Sequence, residues 1–290
     1  MNSKWEAKYD FNKNAKSYEC PKKGIKKEVV SFNYQSMTKP TEISRCLVII
    51  DDIKNLNNRE SNYLSAKLKT EFWIELGSAV TALDYYVEII LQQMFQNETS
   101  RCYIKTKAGE EITFIIKLIK IDFKGYIFEL NLKDAYELSK KYKENGVLMF
   151  KKYPKFAQEY FCRAAKILLS YGPFDDLSEE NDGVEAELLK KLLQNLKLNI
   201  SACLIKEQRY EEVVFLTSFV EENSENIDKA IYRRALALHN LKEFKKAKEV
   251  IEKSKTFRKN AELVNLHTKI LNDWKTNDHN YKNVVRKMFS

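Results

Sequence analysis

Four side chains carry most of the chemistry this sequence offers: Lys143, Asn199, Lys229 and Arg233. Lys229 and Arg233 stand four residues apart, so on a helix they share one face. Asn199 and Arg233 stand 34 apart, the spacing at which the surrounding sequence repeats itself. In a stack of helix pairs, equal positions in successive repeats line one surface. With Lys143 on an earlier copy, three cations and one amide are expected to point into one groove. Lys and Arg make strong, directional, charge-assisted bonds to carboxylates. The plainer reading is that all four are ordinary exposed residues of a chain rich in Lys and Arg. Arg234 falls on a different helical face from Arg233 and reads as structural.

Reaction centres are not legible. His239, His267 and His279 all fall on helical or tail segments, and His239, beside Asn240 at a helix end, reads as a capping or surface residue. The chain contains no HExxH, GxSxG or phosphate-cradling loop. Asp51-Asp52 and Asp175-Asp176 look like paired carboxylates, but each pair sits in an expected turn, where Asp caps nearby backbone N–H groups. No metal and no cofactor are expected.

The elements that would position the four side chains show in the texture of the chain. From about residue 133 the apolar residues recur at helical spacing, with short breaks near Tyr153-Pro154, Tyr171 to Gly183, Glu207-Gln208, Asn223 to Glu225 and Lys242. Asn199–Val214 and Arg233–Lys248 align at an offset of 34, with Tyr210 opposite Phe244 and Val213 opposite Ala247. That is the period of the tetratricopeptide helix pair. Upstream, Lys27–Tyr34, Cys46–Ile50, Phe72–Gly77, Cys102–Lys105 and Ile112–Ile121 read as strands, followed after Gly125 by Tyr126–Leu130, and Ala79–Gln93 reads as a helix. Together they imply a small antiparallel α+β domain.

Composition sets limits around this organisation. The 290 residues include 50 Lys and Arg against 41 Asp and Glu, and only 7 Gly and 4 Pro. The net charge is +3 across residues 1–132 and +6 across 133–290, with both signs interspersed. Such a mild excess fits an acidic partner, not nucleic acid. Five cysteines without a CxxC pair read as reduced intracellular thiols. There is no signal-peptide pattern and no apolar run long enough for a bilayer, so a cytoplasmic place, with the nucleus as a second one, is expected.

Across roughly residues 135–290 the motifs KENGVLMFKKY, LNISACLIKEQRYEE and KAIYRRALALHNLKEFKKA, with the ending NVVRKMF, resemble the tetratricopeptide domain of the large FKBP-type immunophilins. Glu28–Tyr34, Glu75-Leu76-Gly77, Met94–Glu98 and Thr113–Leu118 resemble a divergent FKBP-type prolyl-isomerase fold, and the whole chain is most similar to non-catalytic members of that family. The resemblance implies a polar segment over 1–24, a degenerate FKBP-like domain over 25–132, and a tetratricopeptide domain over 133–290 with three repeats and a C-terminal helix.

It also implies roles. Lys143, starting the first groove helix, with Asn199, Lys229 and Arg233, corresponds to a carboxylate clamp that holds the acidic C-terminus of the ninety-kilodalton heat-shock chaperone. The family often has Asn four residues after Lys143, where this chain has Val147. The isomerase basin departs further. The expected Trp floor is missing near Val80–Val87, the nearest Trp being Trp73. The Phe-Asp pair is replaced by Asn62-Tyr63, and the segment between Met94 and Thr113 is too short for the family's flap. Tyr34 reads as core. These departures predict an adaptor or co-chaperone-like protein without isomerase activity, and the resemblance implies a client that is a circadian protein kinase of the casein kinase type. The alternative is a weak peptidyl-prolyl isomerase. A third reading, calmodulin or membrane binding by Tyr281–Phe289, is weaker because that run is short.

Overall fold

The computed structural model describes residues 17–32, 37–65, 70–106, 108–175, 177–218 and 226–288. Expectations for residues 1–16, Tyr34, Asp176, the break at 223–225 and Phe289 lie outside the described residues. Two compact units are distinguishable: the described residues up to Ala135 together with 144–156, and residues 136–143 together with those from 157 onward.

The first unit is built on a six-stranded antiparallel sheet in the order β1-β2-β5-β6-β3-β4. The strands are β1 (Ser17–Cys20), β2 (Ile25–Ser31), β3 (Arg45–Lys54), β4 (Phe72–Glu75), β5 (Thr99–Lys105) and β6 (Glu111–Asp122). Period-two burial explains the longest pair. Cys46, Val48 and Ile50 of β3, and Ile112, Phe114, Ile116 and Leu118 of β6, are all buried. Helix α1 (Ala82–Leu91) covers that face with Leu83, Val87, Ile90 and Leu91. Its first turn is capped by Thr81, whose Oγ1 accepts from Asp84 N at 3.1 Å.

Two local expectations fail here. Asp51-Asp52 lie in β3, not in a turn, because the strand stays paired with β6 as far as Lys54. A register irregularity between Asp51 and Lys54 absorbs one extra residue, with Asp52 at φ 50°. Tyr126–Leu130 forms a 3-10 turn over Ile127–Glu129 instead of a strand.

The helical elements are α2 (Leu132–Phe150), α3 (Pro154–Leu169), the short α4 (Glu179–Asp182), α5 (Ala186–Lys206), α6 (Tyr210–Ser218), α7 (Ile227–Asn240), α8 (Phe244–Glu252) and α9 (Ala261–Met288). The repeat is visible in the backbone as well as in the residue types. Gln208 ends the turn after α5 at φ 60°, and Lys242 does the same after α7 at φ 62°, 34 residues later. In both turns the next amide returns to a helix carbonyl, Arg209 N to Leu204 O and Glu243 N to Leu238 O. Val213 and Ala247, at equal positions, are both fully buried. The last repeat closes on α9 through Phe244, Ile251, Leu263, Leu266 and Ile270. No helix among the described residues is long and apolar enough to cross a membrane.

Candidate functional site

Lys143 lies past the middle of α2, which starts eleven residues earlier at Leu132, so it does not begin the helix as expected. It is half-buried and has no ion pair among the described residues. Asn199, half-buried on α5, likewise has no hydrogen-bond partner for its amide among the described residues. Lys229 is exposed in the first turn of α7, where its Nζ donates to Asn226 Oδ1 at 3.0 Å. Asn226 Nδ2 in turn donates to Asn195 Oδ1 of α5 at 2.9 Å.

Arg233, one turn further along α7, is already engaged. Its Nη1 donates to the carbonyl oxygen of Leu198 at 2.5 Å, and burial pulls its pKa below the usual guanidinium range. The described contacts therefore join Lys229 and Arg233 to α5, while none joins Lys143 to the other three. Asn195 and Asn226 were missed from the sequence. The available signal was spacing: Asn195 precedes Asn199 by four residues and shares its helical face. Val147, at the departing position, is 54% exposed.

Two other polar residues of the helical unit, His239 and Arg234, are drawn into its interior. His239 is neither a cap nor a surface residue. Its Nε2 lies 2.7 Å from Asp273 Oδ2 of α9, and its Nδ1 is buried without a partner among the described residues. Arg234 Nε is similarly buried and unpartnered among them.

In the first unit, residues at and next to Asn62-Tyr63 and Val80–Val87, where the isomerase basin was expected, bind one another. Asp84 of α1 is fully buried, and its carboxylate accepts from Ser61 Oγ at 2.5 Å, Asn62 N at 3.0 Å and Tyr63 N at 3.1 Å. One helical turn later, Glu88 accepts from Gly77 N at 2.8 Å, Ser78 N at 3.1 Å and Tyr63 Oη at 3.1 Å. Burial raises the Glu88 pKa to about 7, against the lowering effect of those donors. Burial first, and Glu88 second, push the Cys46 thiol up to about 12. Gly77 adopts φ 79°, a left-handed turn that favours glycine, and so presents its N–H to Glu88. The Gly77 carbonyl accepts from Asn145 Nδ2 at 2.8 Å. Trp73 is 41% exposed on β4, with the Arg45 guanidinium 5.0 Å from its ring centre.

Comparison with known proteins follows this architecture. Residues 18–123 match the family model described as BDBT FKBP like N-terminal, and residues 131–215 match the one described as Bride of doubletime-like, TPR domain. Protein Bride of doubletime of Drosophila melanogaster is 40% identical over 278 residues, covering 94% of this chain and 97% of that protein. A crystal structure of residues 1–211 of CG17282 is 39% identical with a TM-score of 0.63, covering 67% of this chain and 96% of that one.

Proposed function

The chain belongs to the Bride of doubletime family, and on that premise we propose that it is a non-catalytic adaptor. The groove of its tetratricopeptide repeats holds an acidic C-terminal peptide, and its FKBP-like domain presents a surface to a client. The observation that carries the reading is the supply of polar groups at the expected groove positions. Lys143 and Lys229 have no acidic partner among the described residues, and the amide of Asn199 is unengaged. A bound carboxylate would satisfy all three. Asn226 and Asn195 hold the Lys229 ammonium in place before any ligand arrives. The peptide class is that of the heat-shock chaperone C-terminus.

The relative's name makes it the partner of doubletime. We extend that kind of client, a protein kinase of the Doubletime or casein kinase type in circadian regulation, to this chain. All five cysteines are free thiols, which supports a reducing compartment, the cytoplasm and secondarily the nucleus. The reading of lost catalysis draws on Asp84, Glu88 and Tyr63. An isomerase needs an apolar basin that desolvates the prolyl amide, whereas these polar groups are committed to internal hydrogen bonds.

Calorimetric titration of the full chain with an acidic peptide tests the groove. A free C-terminal carboxylate is expected to bind at roughly 1 μM, or about −8 kcal/mol, and its C-terminal amide much more weakly. Equal affinity for the two forms would remove the clamp. A protease-coupled isomerisation assay is expected to show no rate above buffer, and a protein-dependent rate would restore the enzyme reading.

A further inference from the structure

A second concave surface lies on the first domain, at the C-terminal end of α1 and away from Asp84 in its first turn. Two hollows, of about 280 and about 870 Å³, share Lys39, Gln93 and Phe95 as a common wall. The larger is walled on its far side by the segment after β6. There Phe123 is 45%, Tyr126 47% and Phe128 81% exposed, and Met37 across from them is 58% exposed. Rings this exposed and this close together are an unusual surface for an apolar side chain facing only water.

The aromatic set is built, not loose. Tyr126 and Phe128 stack with centroids 5.2 Å apart and 11° between planes, and Phe123 meets Tyr126 edge-on at 5.4 Å. Gly125 turns the chain at φ 88°, and its carbonyl accepts from Thr41 Oγ1 at 2.8 Å. Glu129 accepts from Tyr126 N at 2.9 Å, which closes the 3-10 turn. The rings are therefore held in place before a partner arrives.

The shared wall carries a cation that no carboxylate contacts directly among the described residues. Lys39 Nζ stands 4.6 Å from the centre of the Phe95 ring and makes no ion pair among the described residues. Its neighbour Lys27 is already paired with Glu98. Burial, and then the Lys27 charge, pull the Lys39 pKa below the usual range against the raising effect of Glu98, which is the condition an incoming carboxylate would relieve. Glu19 and Glu42 also line the hollows. One unpaired cation among carboxylates is a poor site for a nucleic-acid backbone, but it suits a single acidic side chain.

We propose that this groove docks an extended acidic–apolar segment of a partner protein, with bulky apolar side chains on Phe123, Tyr126 and Phe128 and a carboxylate on Lys39. The Gln92 and Gln93 side-chain amides, both half-buried and without partners among the described residues, are placed to bond the segment's backbone. The inference rests on the reading of the FKBP-like domain as a client surface. It is independent of the helical groove.

Fluorescence anisotropy with the full chain tests it. The probes are the labelled peptide GDDLWLG with an amidated C-terminus, its GNNLWLG analogue and its GKKLWLG analogue. Amidation keeps the probes off a carboxylate clamp, so failure here and failure there are separable. The acidic peptide is expected to bind, with the Asn analogue about tenfold weaker and the Lys analogue weaker still. Phe128→Ser and Lys39→Gln are each expected to weaken binding about tenfold, Lys39→Arg is expected to retain it, and circular dichroism should show all variants folded. No saturable binding by the acidic peptide, equal binding of the three peptides, or full binding by Phe128→Ser would overturn the proposal. So would concentration-dependent self-association in sedimentation that Phe128→Ser abolishes, since the occupant would then be a second copy of the chain.

Discussion

The FKBP-like domain and the tetratricopeptide unit differ in how they treat the charged side chains at their candidate sites. In the first, Asp84, Glu88 and Glu98 are buried, and each meets two or more donors from its own domain. In the second, half-buried Lys143 of α2 and exposed Lys229 of α7 make no ion pair among the described residues. Internal pairing turns charge into a structural element that specifies one loop arrangement. Charge left without a counterion is available to a ligand. The contrast separates a domain whose buried acids hold its own loops from a unit that leaves cations at the proposed groove positions without acidic partners among the described residues.

The largest effect that tests this contrast is expected at the Lys27–Glu98 pair. Both side chains are almost fully buried, and Glu98 also accepts from Phe95 N at 2.9 Å and Ser100 Oγ at 2.6 Å. Glu98→Ala strands a buried ammonium and should cost about 3–5 kcal/mol in denaturant unfolding of the domain. A loss below about 1 kcal/mol would mean the pair is solvated, and the contrast would weaken.

Glu88 comes next, through pH. Its folded pKa of about 7 lies above the ordinary value of 4.5, so the folded state holds a proton that the unfolded state releases. Its contribution is therefore fully present below about pH 4.5 and is lost as pH rises to about 7. The size is about 3 kcal/mol. Glu88→Gln cannot titrate, so the stability difference between wild type and variant should drift by that amount across the window. A pH-independent difference would show that Glu88 stays ionised in the fold.

The groove predictions are smaller. Arg233→Glu should weaken acidic-peptide binding by about 2 kcal/mol or more, and Arg233→Ala by less, because reversal adds repulsion to a lost donor. Calorimetry on both variants, with thermal melts to account for the lost Leu198 contact, measures the gap, and identical losses would place Arg233 in packing alone. The smallest change is a gain. Val147→Asn introduces the amide at the position where the family often has one, on an exposed site, and should tighten the same peptide by about 1 kcal/mol. No gain would separate Val147 from the groove.

Much of the architecture was legible because it repeats locally. Alternating burial in β6 and the 34-residue offset between the turns at Gln208 and Lys242 both follow from periodic residue types. The course of β3 through Asp51-Asp52 was not, since two acids read as a turn, and it is the pairing of Asp51 and Lys54 with β6 that carries the strand past them. Nor was His239, whose nearness to a helix end suggested a cap while its partner Asp273 lies two helices on.

The sequence by itself determined the two-domain order, the helix-pair period and the residue types at the proposed groove positions. Helical and strand periodicity act over a few residues, so they can be read along the chain. Only the tertiary structure decided which polar groups stay available. Lys27 and Glu98 are 71 residues apart, Asn145 and Gly77 are 68 apart, and Arg233 reaches Leu198 across 35. Whether a charge or an amide is satisfied depends on what folding brings within hydrogen-bond distance, and no local pattern encodes that.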